Sequence, residues 1–529
     1  MDSNYPYQNN ARAGAVSRLA EAYSNDSGPA LTEGPKIKVS AAVSTLASAY
    51  EKVRRAMEYN EPHLQRRATT ERILARRLRG ESNSALVAKG LVNELIRGRY
   101  LKNDYYPESL SEEVEGILEK YRVILEMRDV SPTHDDFPWI VRLASSEVEE
   151  FFSPPEKDDA LAELALLNLK ETVIISDPNL SENQRLIQLR LAIYKNLLKL
   201  DQAMLEYNLF ELFYPYWKTH GREHVEEVVA SLPQIRKAID GTLNYPLAGS
   251  ISASVRRYVA PFILFRDALE HDGVEVFTDK LILSRAISTS YKRRMERERE
   301  RLATTTTRAL IYIFLTKAVL SFAFELPAER LIYGAVRKLP FAINFLFPPF
   351  LLFLLTLSLS LPGEENEERI VSAAREAAFG NGDAFSEKNR VEVKKRSPGM
   401  AFILFVLYLL TFAIMFGGVA YLLAGIGFTP FAVALFIFYT SIVMYFGVKV
   451  RESSQELIMI GGHETVSSVV FDFLALPFLR VGSFVSSALS RFNVLVIAVS
   501  LLVEAPIQSL LEFLEEWIHF AREKKEEVY

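Results

Sequence analysis

The chain has 529 residues, a formal net charge of -5 and no cysteine. The missing thiols exclude disulfides, thiolate metal sites and cysteine nucleophiles and fit a reducing compartment; the near-balanced charge gives no bulk electrostatic case for nucleic acid. Apolar residues are unevenly spread: the chain reads as a charged helical protein before about Tyr291 and as long apolar runs parted by charged loops after Arg308.

Residues 1–37 are rich in Asn, Ser, Pro and Gly, a composition expected to stay a disordered tail. They lack the charged-then-apolar order of a signal peptide, so the N-terminal half is expected to remain where it is made. Residues 38–290 read as an all-α cytoplasmic domain. Val39, Ala42, Val43, Leu46, Ala49, Tyr50, Val53 and Met57 follow the spacing of a helix with one buried face. Ser109 with Glu112, and Ser181 with Gln184, form candidate capping boxes before helical apolar patterns. "TVIIS" (Thr172 to Ser176) is strand-like, but too short and isolated to imply a sheet.

Residues 291–361 hold a basic helix and a first transmembrane pair. "YKRRMERERERLATTTTRAL" runs without Pro or Gly into the apolar run from Ala309 to Glu325, so one helix is expected to continue into the membrane. The second run, Leu339 to Leu361, contains Pro348 and Pro349, which should kink it. A cytoplasmic loop is expected over 362–398. A second pair follows over 399–449, Met400 to Gly425 and Phe428 to Val448, each long enough to cross a hydrocarbon core. Basic residues before the first run and between the second and third place both termini inside. Residues 450–529 read as a membrane-associated amphipathic or hairpin segment with a charged tail.

Two stretches, "VEAPIQSLLEFLEEWIHFAREKKEEVY" and "RRATTERILARRLRG", resemble segments of uncharacterised multi-pass membrane proteins of reduced-genome, candidate-phyla type bacteria. The resemblance implies a bacterial inner-membrane setting and brings no activity with it.

"HGREH" (His220 to His224) matches the H-x-x-E-H order of a zinc peptidase, with Glu223 as base. Gly221 weakens a helix there and the all-α surroundings are wrong for such enzymes, so a solvated helix start is the preferred reading. His463 and Glu464 lack a second histidine and read as a loop. Arg66, Arg67, Arg72, Arg76, Arg77 and Arg79 form a candidate basic patch for anionic lipid, RNA or an acidic protein; pairing with acidic helices such as "SSEVEEFF" is favoured over it.

Lys317 lies near the middle of the first apolar run, where a charge costs roughly 2.5 to 3.5 kcal/mol on insertion scales. With Asp472, Glu504 and Glu325 it forms a candidate intramembrane charge cluster, read as a proton or ion relay or, in preference, as a lysine that snorkels or makes one structural ion pair to Glu504 or Asp472. The fold expected is all-α, an N-terminal soluble helical domain followed by a helical transmembrane bundle. The function expected is a non-enzymatic anchor or scaffold whose domain binds a protein partner, with anionic lipid headgroups as further partners, no cofactor and no nucleic acid; a homo-oligomer is compatible with it. A small transporter or channel using Lys317 with Asp472 and Glu504 is the alternative, and a zinc peptidase a distant one.

Overall fold

The computed structural model describes residues 5–25, 34–40, 62–131, 133–219, 225–357, 362–380, 385, 389–392, 398–454, 457–459 and 466–491. The fold is all-α. The expected N-terminal tail instead contains a helix, α1 (Tyr5–Ser24). Its Ala15 and Leu19 sit four residues apart, on one face, and are fully buried in the main core. Arg18 holds Glu163 through two hydrogen bonds of 3.1 and 2.7 Å. Mean composition missed this because a few well-spaced apolar residues suffice when a partner surface exists. The strand-like segment 34–40 is strapped down as well: Ile37 N–H donates to the Tyr106 carbonyl at 2.9 Å. The helix expected over Val39 to Met57 lies almost wholly outside the described residues.

The domain is built on α2 (Pro62–Gly80), α3 (Ser84–Arg97), α4 (Leu110–Met127), α5 (Phe137–Phe152) and α6 (Glu156–Leu169). Central α5 packs on α2 and α4 and on the later α8 (Gln202–Phe213). Burial of Trp139, Ile140, Leu143, Ala144 and Val148 leaves it little free surface, the mark of a core helix. Before α4, Ser109 has helical backbone angles and its side chain makes no cap hydrogen bond, so the expected capping box does not form; Pro107 and Glu108 begin the turn instead, accepting from Leu110 and Ser111. The box at Ser181 and Gln184 is present at the start of α7 (Glu182–Ile193), with both reciprocal bonds. After a π turn over Tyr194–Leu198, α8 leads to α9 (Val225–Leu243), α10 (Ala248–Arg256) and α11 (Ala260–Asp272).

The expected cytoplasmic loop over 362–398 is largely a return to this core. The helix Glu364–Phe379 buries Ile370, Ala373, Ala374 and Ala377 completely. Strand β2 (Asn389–Glu392) then pairs in parallel with β1 (Val173–Ser176), so the strand-like run does belong to a sheet, one of two strands. A partner 216 residues away, as in the pair Val173 and Asn389, leaves no local signal.

Helix α12 (Lys280–Leu320) starts in the domain core, where Leu283 and Ile287 are fully buried. It continues through a π turn (Ser321–Glu325) into α13 (Leu326–Tyr333), an unbroken helical run of 54 residues. Helix α14 (Lys338–Leu357), the domain helix α15 (Glu364–Phe379), α16 (Pro398–Gly425), α17 (Pro430–Ser454) and α18 (Val466–Arg491) follow. The run ending at Tyr333, and the helices α14, α16 and α17, are long and apolar enough to cross a membrane. Helix α16 exposes Phe402, Phe405, Ile414 and Tyr421, as a lipid-facing helix does. Within the bundle α17 is central, packing on α14, α16 and α18. A Cβ on Gly482 of α18 would lie 2.2 Å from the Ser441 carbonyl oxygen of α17, so only glycine permits this approach.

The two ends of the bundle differ. At one, Arg337 donates to the Gly427 carbonyl at 2.6 Å, and Gly427 takes φ +94, which the tight "GIGFTP" turn requires. At the other, Tyr291 of α12 donates to the Pro362 carbonyl at 3.0 Å, and Asn366 of α15 pairs with the backbone of 457–459 just after α17. That end joins the domain.

Candidate functional site

Four polar residues occur at intervals of four along one helical run: Lys317, Ser321, Glu325 and Glu329. All are buried, the two members of the ion pair to 1 and 2% side-chain exposure. On an unbroken α-helix, at about 100° per residue, Glu325 and Glu329 would stand about 80° and 120° around the axis from Lys317. The π turn inserts one residue's worth of rotation and brings both back to within about 20°. The turn thereby converts a spiralling set into a straight ladder.

Glu325 is the centre of the ladder. Lys317 Nζ donates to its Oε2 at 3.0 Å and Ser321 Oγ to the same oxygen at 2.9 Å. Asn344 of α14 donates through Nδ2 to Oε1. The Lys317 ammonium also lies 3.9 Å from the ring centre of Tyr439 on α17, a cation–π contact. Three helical segments thus meet at one ion pair. One rung further, Thr429 Oγ1 donates to Glu329 Oε1 at 2.6 Å and accepts from Ala432 N–H at 3.1 Å, capping the start of α17. The Oδ1 of Asn344, on a fully buried residue, has no hydrogen-bond partner among the described residues.

Lys317 is answered by Glu325 of its own helical run, the member of the expected cluster that the described residues show. Asp472 lies on α18, and its side chain, like the whole of Glu504, is outside the described residues. Ser321, Glu329, Asn344 and Tyr439 were missed by sequence reasoning. A four-residue recurrence of polar groups inside an apolar run was the available signal, and a lone Asn in "PFAINFLF" was another.

A second buried polar cluster lies in the domain. Tyr121 Oη and Trp217 Nε1 donate to Glu147 Oε2 at 2.6 and 2.7 Å, and Lys120 pairs with the other oxygen. Nearby, Lys218 bridges Glu150 at 2.5 Å and Glu211 at 2.8 Å. Burial, with the Glu211 charge second, pushes the Glu150 carboxyl up to about 8. Burial raises Glu211 likewise, against the opposing pull of Lys218. These groups fix the turn after α8, whose continuation through His220 to His224 lies outside the described residues, as do His463 and Glu464. Among the described residues no group of three His, Asp or Glu could hold a metal ion.

Arg66, Arg67, Arg76 and Arg77 of α2 meet acidic partners within the domain. Arg66 forms a two-pronged bridge to Glu149 at 2.8 and 2.7 Å. Buried Arg67 meets Glu71 at 2.6 Å and Asp201 at 2.7 Å. Arg76 and Arg77 converge on Glu94, and Arg79 lies over the Phe137 ring. Arg72 shares the helix. The stretch is an internal clamp more than a free cationic face. Comparison of the chain with protein-family models, curated proteins and solved structures finds no match to any of them.

Proposed function

We propose that this chain is a non-enzymatic anchor of the bacterial inner membrane, with both termini cytoplasmic, that holds its helical domain at the membrane face for a protein partner. The observation that carries the reading is the single helical run from Lys280 to Tyr333, seated in the domain core at one end and in the apolar bundle at the other. The Tyr291, Asn366 and Leu457 contacts add a second fastening, so the domain has a set orientation on the bundle. Basic residues on the lead-in, including exposed Arg297 and Arg299, suit anionic headgroups at about 1 kcal/mol each.

A second reading, a small transporter or channel, is favoured by the π turn and the polar ladder it aligns, since π turns concentrate at functional sites. The test is isolation of the full chain in mild detergent beside Lys317→Ala, with mass spectrometry of what co-purifies. A stoichiometric protein retained by both supports the anchor. No such protein, together with a small molecule lost only in the variant, overturns it in favour of transport.

A further inference from the structure

We propose that the Lys317 and Glu325 pair is a proton-binding site, reached from the Gly427 end of the bundle through Thr429 and Glu329. A packing role explains one ion pair, but it does not explain the second carboxyl. Glu329 is buried, and among the described residues one hydroxyl, that of Thr429, donates to it at 2.6 Å. Among the described residues no cation pairs with it, whereas buried carboxylates are costly unless paired. A proton resident on Glu329 removes this cost and can be handed on; kept on both sides of a pH step, it adds no band of its own to a difference spectrum. Glu329 stands beside the turn capped by Arg337 and Gly427, so that end of the bundle is the entry.

The groups around Glu325 are suited to receive that proton. From its own helical run it meets Lys317 and Ser321, from α14 Asn344, and from α17 the ring of Tyr439 beyond the ammonium. Asn344 is fully buried and its Oδ1 accepts from no group among the described residues. When the Glu325 carboxylate takes a proton, the new O–H needs an acceptor, and rotation of the Asn344 amide supplies one in exchange for the donor it withdraws. The charge of the site rises by one, held on Lys317 over the Tyr439 face. No other bond forms or breaks, and the proton returns by the same rungs. One helical turn, about 5.4 Å of rise, separates Glu325 from Glu329, a gap that one water or a carboxyl rotation closes.

The inference stands apart from the anchor reading, because proton binding requires no protein partner. Its test is infrared difference spectroscopy of the full chain in lipid nanodiscs across a pH step, in water and in deuterated water. A carbonyl stretch of a protonated carboxylic acid is expected on acidification, sensitive to deuteration, lost in Glu325→Gln and slower to appear in Glu329→Gln. Should Glu325→Gln fail to fold, the double variant Lys317→Met with Glu325→Gln, which leaves no lone charge, gives the same readout. Absence of the band from the unaltered chain, or its persistence in a folded variant lacking Glu325, overturns the proposal. An unchanged rate in Glu329→Gln overturns the route.

Discussion

Asn366 and Leu457 are joined across 91 positions of chain: the Asn366 Nδ2 donates to the Leu457 carbonyl at 2.7 Å, while its Oδ1 accepts from Met459 N–H at 2.9 Å. One side-chain amide thus pairs with a backbone as a neighbouring strand would. Replacing it with Leu leaves a buried donor and acceptor unmet, at roughly 1 to 3 kcal/mol each. The expected outcome of Asn366→Leu is rapid hydrogen exchange at Met459 with the helices of the bundle still protected, read by exchange mass spectrometry on the full chain.

Gly482 and Gly417 make a matched pair for a packing test. A methyl group at Gly482 meets the Ser441 carbonyl oxygen, while at Gly417 it meets nothing within 4 Å. Gly482→Ala is expected to cost about 1 to 3 kcal/mol by forcing α17 and α18 apart. Gly417→Ala is expected to be neutral or mildly stabilising. Thermal melting of both variants in one detergent, followed by size-exclusion chromatography, separates the two outcomes.

The domain is expected to lose stability as pH rises through neutrality. The Glu150 carboxyl is pushed to about 8 by burial, against an ordinary value of 4.5. Between those values the folded chain keeps a proton that the unfolded chain has released. The contribution is therefore complete below about pH 4.5, declines by up to about 1.4 kcal/mol per pH unit, and is gone above about 8. Glu150→Gln should flatten this part of the curve and be more stable than the unaltered chain at pH 8, as measured by denaturant unfolding of the domain.

Arg66 and Glu149 provide a test of the inward clamp. Arg66→Ala strands a buried carboxylate at a cost of roughly 3 to 5 kcal/mol, and adding Glu149→Gln should recover much of it. Retention on immobilised heparin should change little in either variant. A large loss of retention with unchanged stability would restore the view of α2 as a polyanion-binding face.

Much of the bundle could be read in the sequence because its signal is local. Long apolar runs set the four crossing-length helices, and the unbroken stretch through "YKRRMERERERLATTTTRAL" set the passage of α12 from domain to bundle. The capping box at Ser181 was legible for the same reason. Long-range partners were not. Ile370 to Ala377 look like any amphipathic helix in a loop until the domain surface that buries them is known, and β2 has no strand signal without β1. The site failed in a more particular way. Helical periodicity of 3.6 turns Glu325 away from Lys317, and only the π turn between them, invisible to pattern, returns it.

The run from Lys280 to Tyr333 has a mechanical corollary. At 1.5 Å per residue its 54 residues measure about 80 Å, with no proline or glycine before Pro327 to act as a joint. A tilt of five degrees about its bundle end carries the domain end sideways by about 7 Å, several bond lengths. The Tyr291 and Asn366 contacts brace this lever, so a rearrangement around Glu325 displaces the domain only as far as those contacts yield.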